Sequence, residues 1–238
     1  MISEILKNSL PSYEVTLPIT KKKHKFRPMT VKEEKILLLA QRSESLREMA
    51  SAMVQIIKNC YEDLKTPEKL SIADAEKAFL ALRGKSMGEE STFTIRCPET
   101  GEVINIKVNL ETFDIEKKNI KDGKIKLTDE MLVVVTEPTM EYLLQNEKSE
   151  SDEMRNLFKN CFVELQTADN VYVKDQLTEK DLDEFYDYMT PLQLKMFSDY
   201  IESIPRVKKT IKYHTKDGID RQFSLFGIDS FFGYASAT

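Results

Sequence analysis

Apolar and polar residues alternate in two short segments near the start of the chain, residues 13–17 and 23–27, with a polar turn between them. Alternation with a period of two is typical of strands, so these segments are predicted to form a hairpin. The spacing then changes to that of a helix at Thr30-Val31-Lys32-Glu33, which has the order of a capping box. A first helix is therefore predicted to begin directly after the hairpin.

Two more helices are predicted in the first half of the chain. One begins after Ser45, and its apolar residues recur at i, i+4, i+7 and i+8, which indicates a buried stripe. The residues of this stripe are Met49, Met53, Ile56, Ile57 and Cys60. The other helix begins after Ser71 and is predicted to end at Gly84, because glycine is the usual residue just beyond a helix terminus. A hairpin over residues 92–108 follows.

The second half shows a similar order of elements. Strands are predicted at residues 124–127 and 132–136, and a helical segment at 153–165. Further helices are predicted to begin after Thr178 and at Thr190-Pro191, because proline is tolerated in the first helical turn. A last hairpin at 207–226 precedes an aromatic tail with Phe231, Phe232 and Tyr234.

Short stretches of the two halves also match in sequence. Lys58-Asn59-Cys60 returns as Lys159-Asn160-Cys161. Residues 14–28 align without a gap on residues 124–138, which sets Val15 against Ile125 and Phe26 against Thr136. Residues 94–102 match 210–218, two hairpins with glycine in the turn. The matches keep their order, so the chain is predicted to be internally duplicated, with Cys60 and Cys161 in equivalent buried places.

These patterns together predict an α+β fold, mainly helical, built from duplicated hairpin–helices–hairpin units. Residues 1–112 form the first predicted repeat unit, with a hairpin, three helices and a hairpin. Residues 113–238 form the second, with strands, three or more helices, a hairpin and the aromatic tail. A length of 238 residues suffices for two such units, each with its own core.

Composition narrows the class of protein. No apolar run comes near the 18 residues of a membrane span, and the first residues lack the apolar region of a signal peptide, so no membrane contact and an intracellular product are expected. Three cysteines, an odd number, favour reduced thiols. A net charge of −5 leaves no overall basic footprint, which makes nucleic acid an unfavoured partner.

Motifs for cofactors and metals are incomplete. Gly84-Lys85-Ser86 resembles the end of a phosphate-binding loop, but Phe79 stands where that loop needs a glycine. Cys97-Pro98-Glu99-Thr100 has the place of a zinc knuckle at a hairpin turn, yet Thr100 replaces the second thiolate. The sequence therefore predicts no cofactor and no bound zinc.

Catalytic groups are equally sparse. The two histidines, His24 and His214, are both expected at the surface, with no nucleophile motif nearby. The acidic residues between Asp181 and Asp187 lack the glycine and the terminal glutamate of a calcium loop and are interpreted as a solvated helix face. The prediction is a protein that is not an enzyme. The dense run Lys21–Lys25 leaves a phosphate-binding or nucleic-acid-binding module as the alternative function.

One phrase of the first half resembles a known family. Its residues are Phe26-Arg27-Pro28-Met29-Thr30-Val31-Lys32-Glu33-Glu34-Lys35, followed later by Phe79-Leu80-Ala81-Leu82-Arg83-Gly84-Lys85-Ser86. Together with Ile56-Ile57-Lys58-Asn59-Cys60, these stretches resemble the baseplate hub proteins of T4-like contractile-tailed bacteriophages over residues 10–115.

The resemblance implies a non-enzymatic protein of the tail baseplate hub, either a hub subunit or an assembly chaperone for the hub. Its partners would be other hub or tail proteins, with self-association left open. Its location would be the infected bacterial cytoplasm, and the virion if it stays in the tail.

The same phrase provides the candidate partner-contact residues. They are Phe26, Arg27 and Pro28 at the corner between hairpin and helix, with Arg83 and Lys85 at the predicted helix end. Arginine can form forked contacts to a carboxylate, and an aromatic residue beside it is a common interface anchor. In the alternative interpretation Phe26 belongs to the core and Arg27 is merely solvated. If the contact hypothesis holds, replacing Arg27 and Lys85 with alanine is expected to weaken partner binding with little effect on thermal stability.

Overall fold

A computed structural model describes residue 6 and residues 9–43, 45–115, 121–145 and 153–231. The strands are β1 (Tyr13–Thr16), β2 (Lys23–Phe26), β3 (Glu90–Arg96), β4 (Val103–Asn109), β5 (Asp114–Ile115), β6 (Lys124–Lys126), β7 (Leu132–Val135), β8 (Phe162–Gln166), β9 (Val171–Val173), β10 (Val207–His214) and β11 (Asp220–Phe226). The helices are α1 (Val31–Ser43), α2 (Leu46–Cys60), α3 (Ile72–Met87), α4 (Met140–Gln145), α5 (Glu153–Cys161), α6 (Glu179–Asp187), α7 (Pro191–Ser203) and α8 (Gly227–Phe231). Helices and small antiparallel sheets coexist, so the predicted α+β class is confirmed.

The described residues divide into two compact units. The residues up to 115 and from 206 onward form one unit, and residues 121–205 form the other. The predicted boundary between 112 and 113 lies close to the point where the chain leaves the first compact unit. The last hairpin was predicted as part of the second repeat unit, but it lies in the first compact unit. It belongs to the first unit because β10 pairs with β5, with Val207 opposite Ile115. Whether the chain is also built from two repeat units is a separate question and stays a prediction.

The first unit follows the predicted order of elements. Strands β1 and β2 form a hairpin, helices α1 to α3 follow, and β3 and β4 form the next hairpin. The predicted apolar stripe of α2 is buried from Met49 to Cys60, and the Ser45 hydroxyl caps this helix by accepting the Glu48 N–H. Helix α3 is longer than predicted, because it continues through Gly84 to Met87 and ends at Gly88, whose φ is +97°.

The hairpins β3–β4 and β10–β11 meet in a small apolar cluster within this unit. Its buried members are Ile95, Cys97 and Tyr213. The Tyr213 hydroxyl donates to Cys97 Sγ at 3.5 Å, so two positions that the sequence match sets against each other are in direct contact. Arg221 adds an ion pair to Glu99 across the same junction.

The second unit contains a four-stranded sheet in the order β6-β7-β8-β9 with helices around it. Its core includes Phe158, Phe162 and Phe197, and Phe197 meets Phe158 edge to face at 5.2 Å between ring centroids. The helix predicted at 153–165 is wrong in its second part. It ends at Cys161, and the following residues form β8 because they pair with β7.

Helices α6 and α7 begin where they were predicted. Thr178 and Thr190 both form capping boxes, with Asp181 and Gln193 as the returning side chains. The predicted aromatic tail lies outside the described residues from residue 232 onward.

Candidate partner-contact site

The predicted contact residues surround a corner where the chain leaves β2 and enters α1. Phe26 is 1% exposed, and its ring lies between those of Tyr13 and Tyr61, with centroid distances of 5.8 and 5.1 Å. The ring is therefore part of the core, as the alternative interpretation proposed. Phe26 cannot act as an exposed interface anchor in this structure, and that part of the hypothesis is corrected.

Arg27 is held in the corner by several hydrogen bonds. Its guanidinium donates to both carboxylate oxygens of Glu33 at 3.2 and 3.3 Å, to the Pro28 carbonyl at 2.9 Å and to the Asn59 carbonyl at 3.1 Å. The backbone N–H of Arg27 also donates to the Cys60 carbonyl at 3.1 Å. Arg27 therefore links β2 to the start of α1 and to the end of α2. It is not a freely solvated side chain.

Glu33 is the buried partner of this arginine. The Thr30 N–H donates to its carboxylate at 2.9 Å and the Thr30 hydroxyl at 2.6 Å, so the glutamate reaches back as the capping-box spacing predicted. Burial by itself would raise the pKa of Glu33, but the hydrogen bonds from Arg27 and Thr30 outweigh it and lower the pKa to about 2. The carboxylate is thus ionised throughout the neutral range.

Arg83 and Lys85 lie on α3, and Lys85 is in the last turn of this helix, which continues to Met87. Arg83 is buried, its Nη2 donates to the Ser91 hydroxyl at 3.0 Å, and burial lowers the pKa of its guanidinium. Lys85 is half-buried and bridges Glu111 at 2.6 Å and Glu89 at 3.0 Å. These carboxylates hold the pKa of the Lys85 amine above its usual range.

The two parts of the predicted site are in contact. The Met29 N–H donates to the Ser86 hydroxyl at 2.8 Å, which joins the corner to α3. The Lys85 amine also lies 5.8 Å from the centroid of the Tyr13 ring, and that ring contacts Phe26. Residues that the sequence analysis grouped into one site are therefore also neighbours in the fold. Of the five residues, Arg27 supports the start of α1 through Glu33, whereas Arg83 bonds to β3 and Lys85 pairs with Glu89 and Glu111. Only Arg27, Pro28 and Lys85 are partly exposed.

Two residues of this region were not singled out from the sequence. Asn59 donates to the Glu33 carboxylate at 3.5 Å, so the Lys-Asn-Cys motif meets the corner. Asp74 is fully buried and accepts the N–H groups of Ile19 and Thr20 at 2.7 and 3.1 Å, which holds the turn of the first hairpin on α3. The capping position of Asp74 after Ser71 was visible in the sequence, but its contact to a turn more than fifty residues away was not.

The basic run and the histidines are placed as follows. Lys21, Lys22, Lys23 and Lys25 are exposed. His24 is buried and its Nδ1 lies 2.8 Å from Asp63 Oδ2, so the expectation of a surface histidine is wrong there. The reason is the alternation of β2, which turns His24 inward while its neighbours face water. His214 is exposed as expected and pairs with Asp220.

The motifs set aside for metals have structural partners. Asp183 and Asp187 of the acidic helix pair with Lys159 and Arg155 of α5 at 3.1 and 2.7 Å. In the described part of the chain, no group of three or more histidine, cysteine, aspartate or glutamate side chains could hold a metal ion. None of the described helices combines the length and the apolar character that crossing a bilayer requires. That the protein carries no zinc stays a prediction.

Comparison with known proteins gives one match. The family model described as "T4 bacteriophage base plate protein" matches residues 10–233. No curated protein and no solved structure matches the chain.

Proposed function

We propose that this chain, which belongs to the T4 bacteriophage base plate protein family, is a non-enzymatic protein of the tail baseplate hub that acts through protein–protein contacts in hub assembly. Two forms of this role fit the proposal, a hub subunit that stays in the virion and an assembly chaperone that leaves. The observation that carries the proposal is the family match over residues 10–233, which covers nearly all described residues of both compact units.

The general role of the chain follows directly from its membership in this family. The chain is a structural protein of the bacteriophage tail baseplate, and other tail or baseplate proteins are its expected partners. The narrower assignment to the hub rests on the Phe26–Lys35 phrase and on residues 79–86. The location in the infected bacterial cytoplasm, and in the virion if the protein is retained, belongs to the same proposal.

The geometry of the corner supports a scaffold. Breaking a buried, hydrogen-bonded ion pair costs several kcal/mol, so the Arg27–Glu33 contact fixes the direction in which α1 leaves the hairpin. A fixed helix can present its outer face to a partner without loss of conformational entropy on binding. We therefore propose that Arg27 contributes to partner binding mainly by positioning α1. Lys85, which pairs with Glu89 and Glu111 and is partly exposed, would contribute by direct contact.

Internal duplication is part of the proposal and is supported by local geometry. The turn of the first hairpin is closed by Leu17 N–H to Lys22 O, and that of the β6–β7 hairpin by Leu127 N–H to Met131 O, both at 2.9 Å. The second turn is one residue shorter. An alignment with a one-residue gap in this turn sets Phe26 against Val135 instead of Thr136.

The gapped alignment agrees with the pairing after each cysteine. Phe26 forms a β-bridge with Tyr61, the residue after Cys60. Val135 pairs in the same way with Phe162, the residue after Cys161. Both cysteines are buried and are the last residues of α2 and α5. These similarities favour two copies of one hairpin–helix unit.

The basic hairpin provides the alternative function. Its four exposed lysines could bind phosphate or nucleic acid, and such binding falls steeply with salt concentration. A titration of the protein with a short duplex DNA at two salt concentrations would support this alternative if binding is tight at low salt and steeply salt-dependent.

Co-purification from infected cells tests the main proposal. An affinity-tagged chain is expressed during infection by the phage that encodes it, and the bound proteins are quantified by mass spectrometry against a tag-only control. Enrichment of baseplate proteins is expected, and enrichment of none of them would contradict the proposal. Mass spectrometry of purified particles then separates a retained subunit from a chaperone.

A further inference from the structure

The outer face of α1 has an unusual combination of exposed apolar and basic residues. Val31, Leu38 and Leu39 are 66%, 45% and 67% exposed, although the other side of the same helix is buried at Leu37 and Ala40. At about 100° per residue, all exposed positions of α1 fall within an arc of about 140°. These positions are Val31, Lys32, Lys35, Leu38, Leu39, Arg42 and Ser43, and they are called the α1 face below.

Every charged residue on the α1 face is basic. The two glutamates of the helix lie elsewhere, Glu33 in the buried corner and Glu34 half-buried outside the arc. The chain as a whole has a net charge of −5, so this local excess of Lys32, Lys35 and Arg42 runs against the overall balance. An apolar surface with a uniform basic charge fits an apolar partner surface with acidic residues.

The helix cannot bury this face by turning. Glu33 is tied to Arg27 and Thr30 on the inner side, and Leu37 is fixed in the core. Three large aliphatic side chains therefore stay in water in the described structure. Clusters of exposed apolar side chains of this kind commonly mark binding sites.

We infer that the α1 face docks an acidic amphipathic helix of another protein. The face is about 17 Å long, since α1 rises about 1.5 Å per residue from Val31 to Arg42, and a partner helix of about three turns would cover it. Leucine-type side chains of the partner would pack against Val31, Leu38 and Leu39. Its glutamates or aspartates would pair with Lys32, Lys35 and Arg42.

Three other occupants fit less well. A second copy of the same face would bring like charges together. A bilayer favours helices whose apolar and basic residues occupy separate sectors, whereas around the α1 face Arg42 and Lys35 lie between Val31 and Leu39. A phosphate backbone would satisfy the basic residues but would leave Leu38 and Leu39 without apolar partners.

This inference rests on the proposed function only for the identity of the partner as a baseplate protein. The test begins with a photo-crosslinking amino acid at position 39 of the full chain, expressed during infection, and mass spectrometry of the crosslinked peptides. We expect crosslinks to a segment of a baseplate protein with the spacing of a helix and an excess of acidic residues. The same label at position 188, an exposed tyrosine of the other unit, serves as the control site.

Binding of the crosslinked partner, purified and labelled, is then measured for two pairs of substitutions. Lys35→Glu with Arg42→Glu, and Leu38→Ser with Leu39→Ser, are each expected to raise the dissociation constant at least tenfold. The matched controls are Lys65→Glu with Lys69→Glu, which are exposed lysines outside α1, and Leu192→Ser, an exposed leucine of α7. These controls are expected to change binding less than twofold. Thermal unfolding should change little in these variants, because the replaced side chains are exposed. The one expected decrease is a small one for the pair with Arg42→Glu, which puts a negative charge in the last turn of α1.

The outcomes separate this inference from the proposed function. Crosslinks from position 39 to lipid, nucleic acid, a second copy or the chain itself would overturn it, as would no crosslink or equal loss of binding in the controls. If baseplate proteins still co-purify in that case, the proposed function stands without the α1 face. Crosslinks to an acidic helix of a protein outside the baseplate would support the α1 face as a docking site and contradict the proposal that the partner is a baseplate protein.

Discussion

At the scale of single residues, the Glu33 carboxylate joins three elements of the first unit. It accepts hydrogen bonds from Arg27, Thr30 and Asn59, which belong to the corner, to the start of α1 and to the end of α2. Glu33 is also 1% exposed, so any partner that is removed leaves a charge with little access to water. The phrase that the sequence offered as a contact site therefore has a structural role that its residue types alone did not reveal.

Arg27→Ala is expected to destabilise the protein, contrary to the expectation from the sequence. Loss of one partner of a buried ion pair costs about 3–5 kcal/mol, and the part of Arg27 that is exposed reduces this to about 2 kcal/mol. Urea unfolding measures the change in the free energy of unfolding. Lys25→Ala, an exposed lysine of β2 two residues before Arg27, is the control and should change it by less than about 0.5 kcal/mol. Equal stability of both variants would show that the Arg27–Glu33 pair contributes nothing.

The stability of the protein should depend on the ionisation of Glu33. Its pKa is lowered in the folded state from 4.5 to about 2, so its contribution is complete above about pH 4.5 and is lost as the pH falls towards 2. The free energy of unfolding is measured for the wild type and Glu33→Gln at several pH values and constant ionic strength. The advantage of the wild type should shrink by about 3 kcal/mol over this interval, since each pKa unit corresponds to about 1.4 kcal/mol. An advantage that does not change with pH would contradict the assignment.

At the scale of elements, local signals predicted helix starts better than helix ends or strand pairing. Ser45, Thr178 and Thr190 cap their helices as predicted, because a cap depends on residues only three positions away. The end of α5 at Cys161 was missed, because β8 exists through its pairing with β7, more than twenty residues earlier.

The candidate site shows the same limit. The sequence grouped the corner with residues 83–86 correctly, and the Met29–Ser86 hydrogen bond joins them. The sequence did not show which of the candidate contact residues are exposed and which are buried. Phe26 is buried because Tyr13 and Tyr61 pack against it. Arg27 pairs with Glu33, a residue that the sequence analysis had interpreted only as part of a capping box.

Gly84 in α3 and Gly88 directly after this helix should respond oppositely to replacement with alanine. Gly84 lies within the helix with no atom outside the helix backbone within 4 Å of an added Cβ, so Gly84→Ala should stabilise the protein by about 0.5–1 kcal/mol. Gly88 ends the helix with a φ of +97°, so Gly88→Ala should destabilise it by about 1 kcal/mol or more. Thermal unfolding of both variants measures the two shifts. If Gly84→Ala destabilises the protein and Gly88→Ala stabilises it, the helix ends at Gly84, as the sequence predicted.

At the scale of the whole molecule, the second unit interrupts the first along the chain. The chain leaves the first unit after β5 and returns with β10, and these two strands pair with Val207 opposite Ile115. The final hairpin then contributes Tyr213 and Arg221 to contacts with Cys97 and Glu99. A division of the chain after residue 112 separates these partners, whereas the compact units keep them together.

Excision of the second unit should leave a folded first unit. Because Ile115 and Val207 face each other in an antiparallel pair, a Gly-Ser linker of about four residues can join the two ends as a hairpin. We expect this shortened protein to unfold cooperatively in urea. The fragment of residues 1–112 alone serves as the comparison and should be much less stable, because it lacks β5, β10 and β11. Similar unfolding of both proteins would favour the boundary that the sequence predicted.

The role in hub assembly is tested most directly by the state of the tail in particles made without this protein. The gene is deleted from the phage that encodes the chain, and lysates with and without complementation are compared by negative-stain electron microscopy and infectivity. We expect few tails with a complete baseplate in the deletion lysate and restoration by the wild-type chain, as family membership and a role in hub assembly require. Normal numbers of complete, infectious particles without the protein would contradict the account.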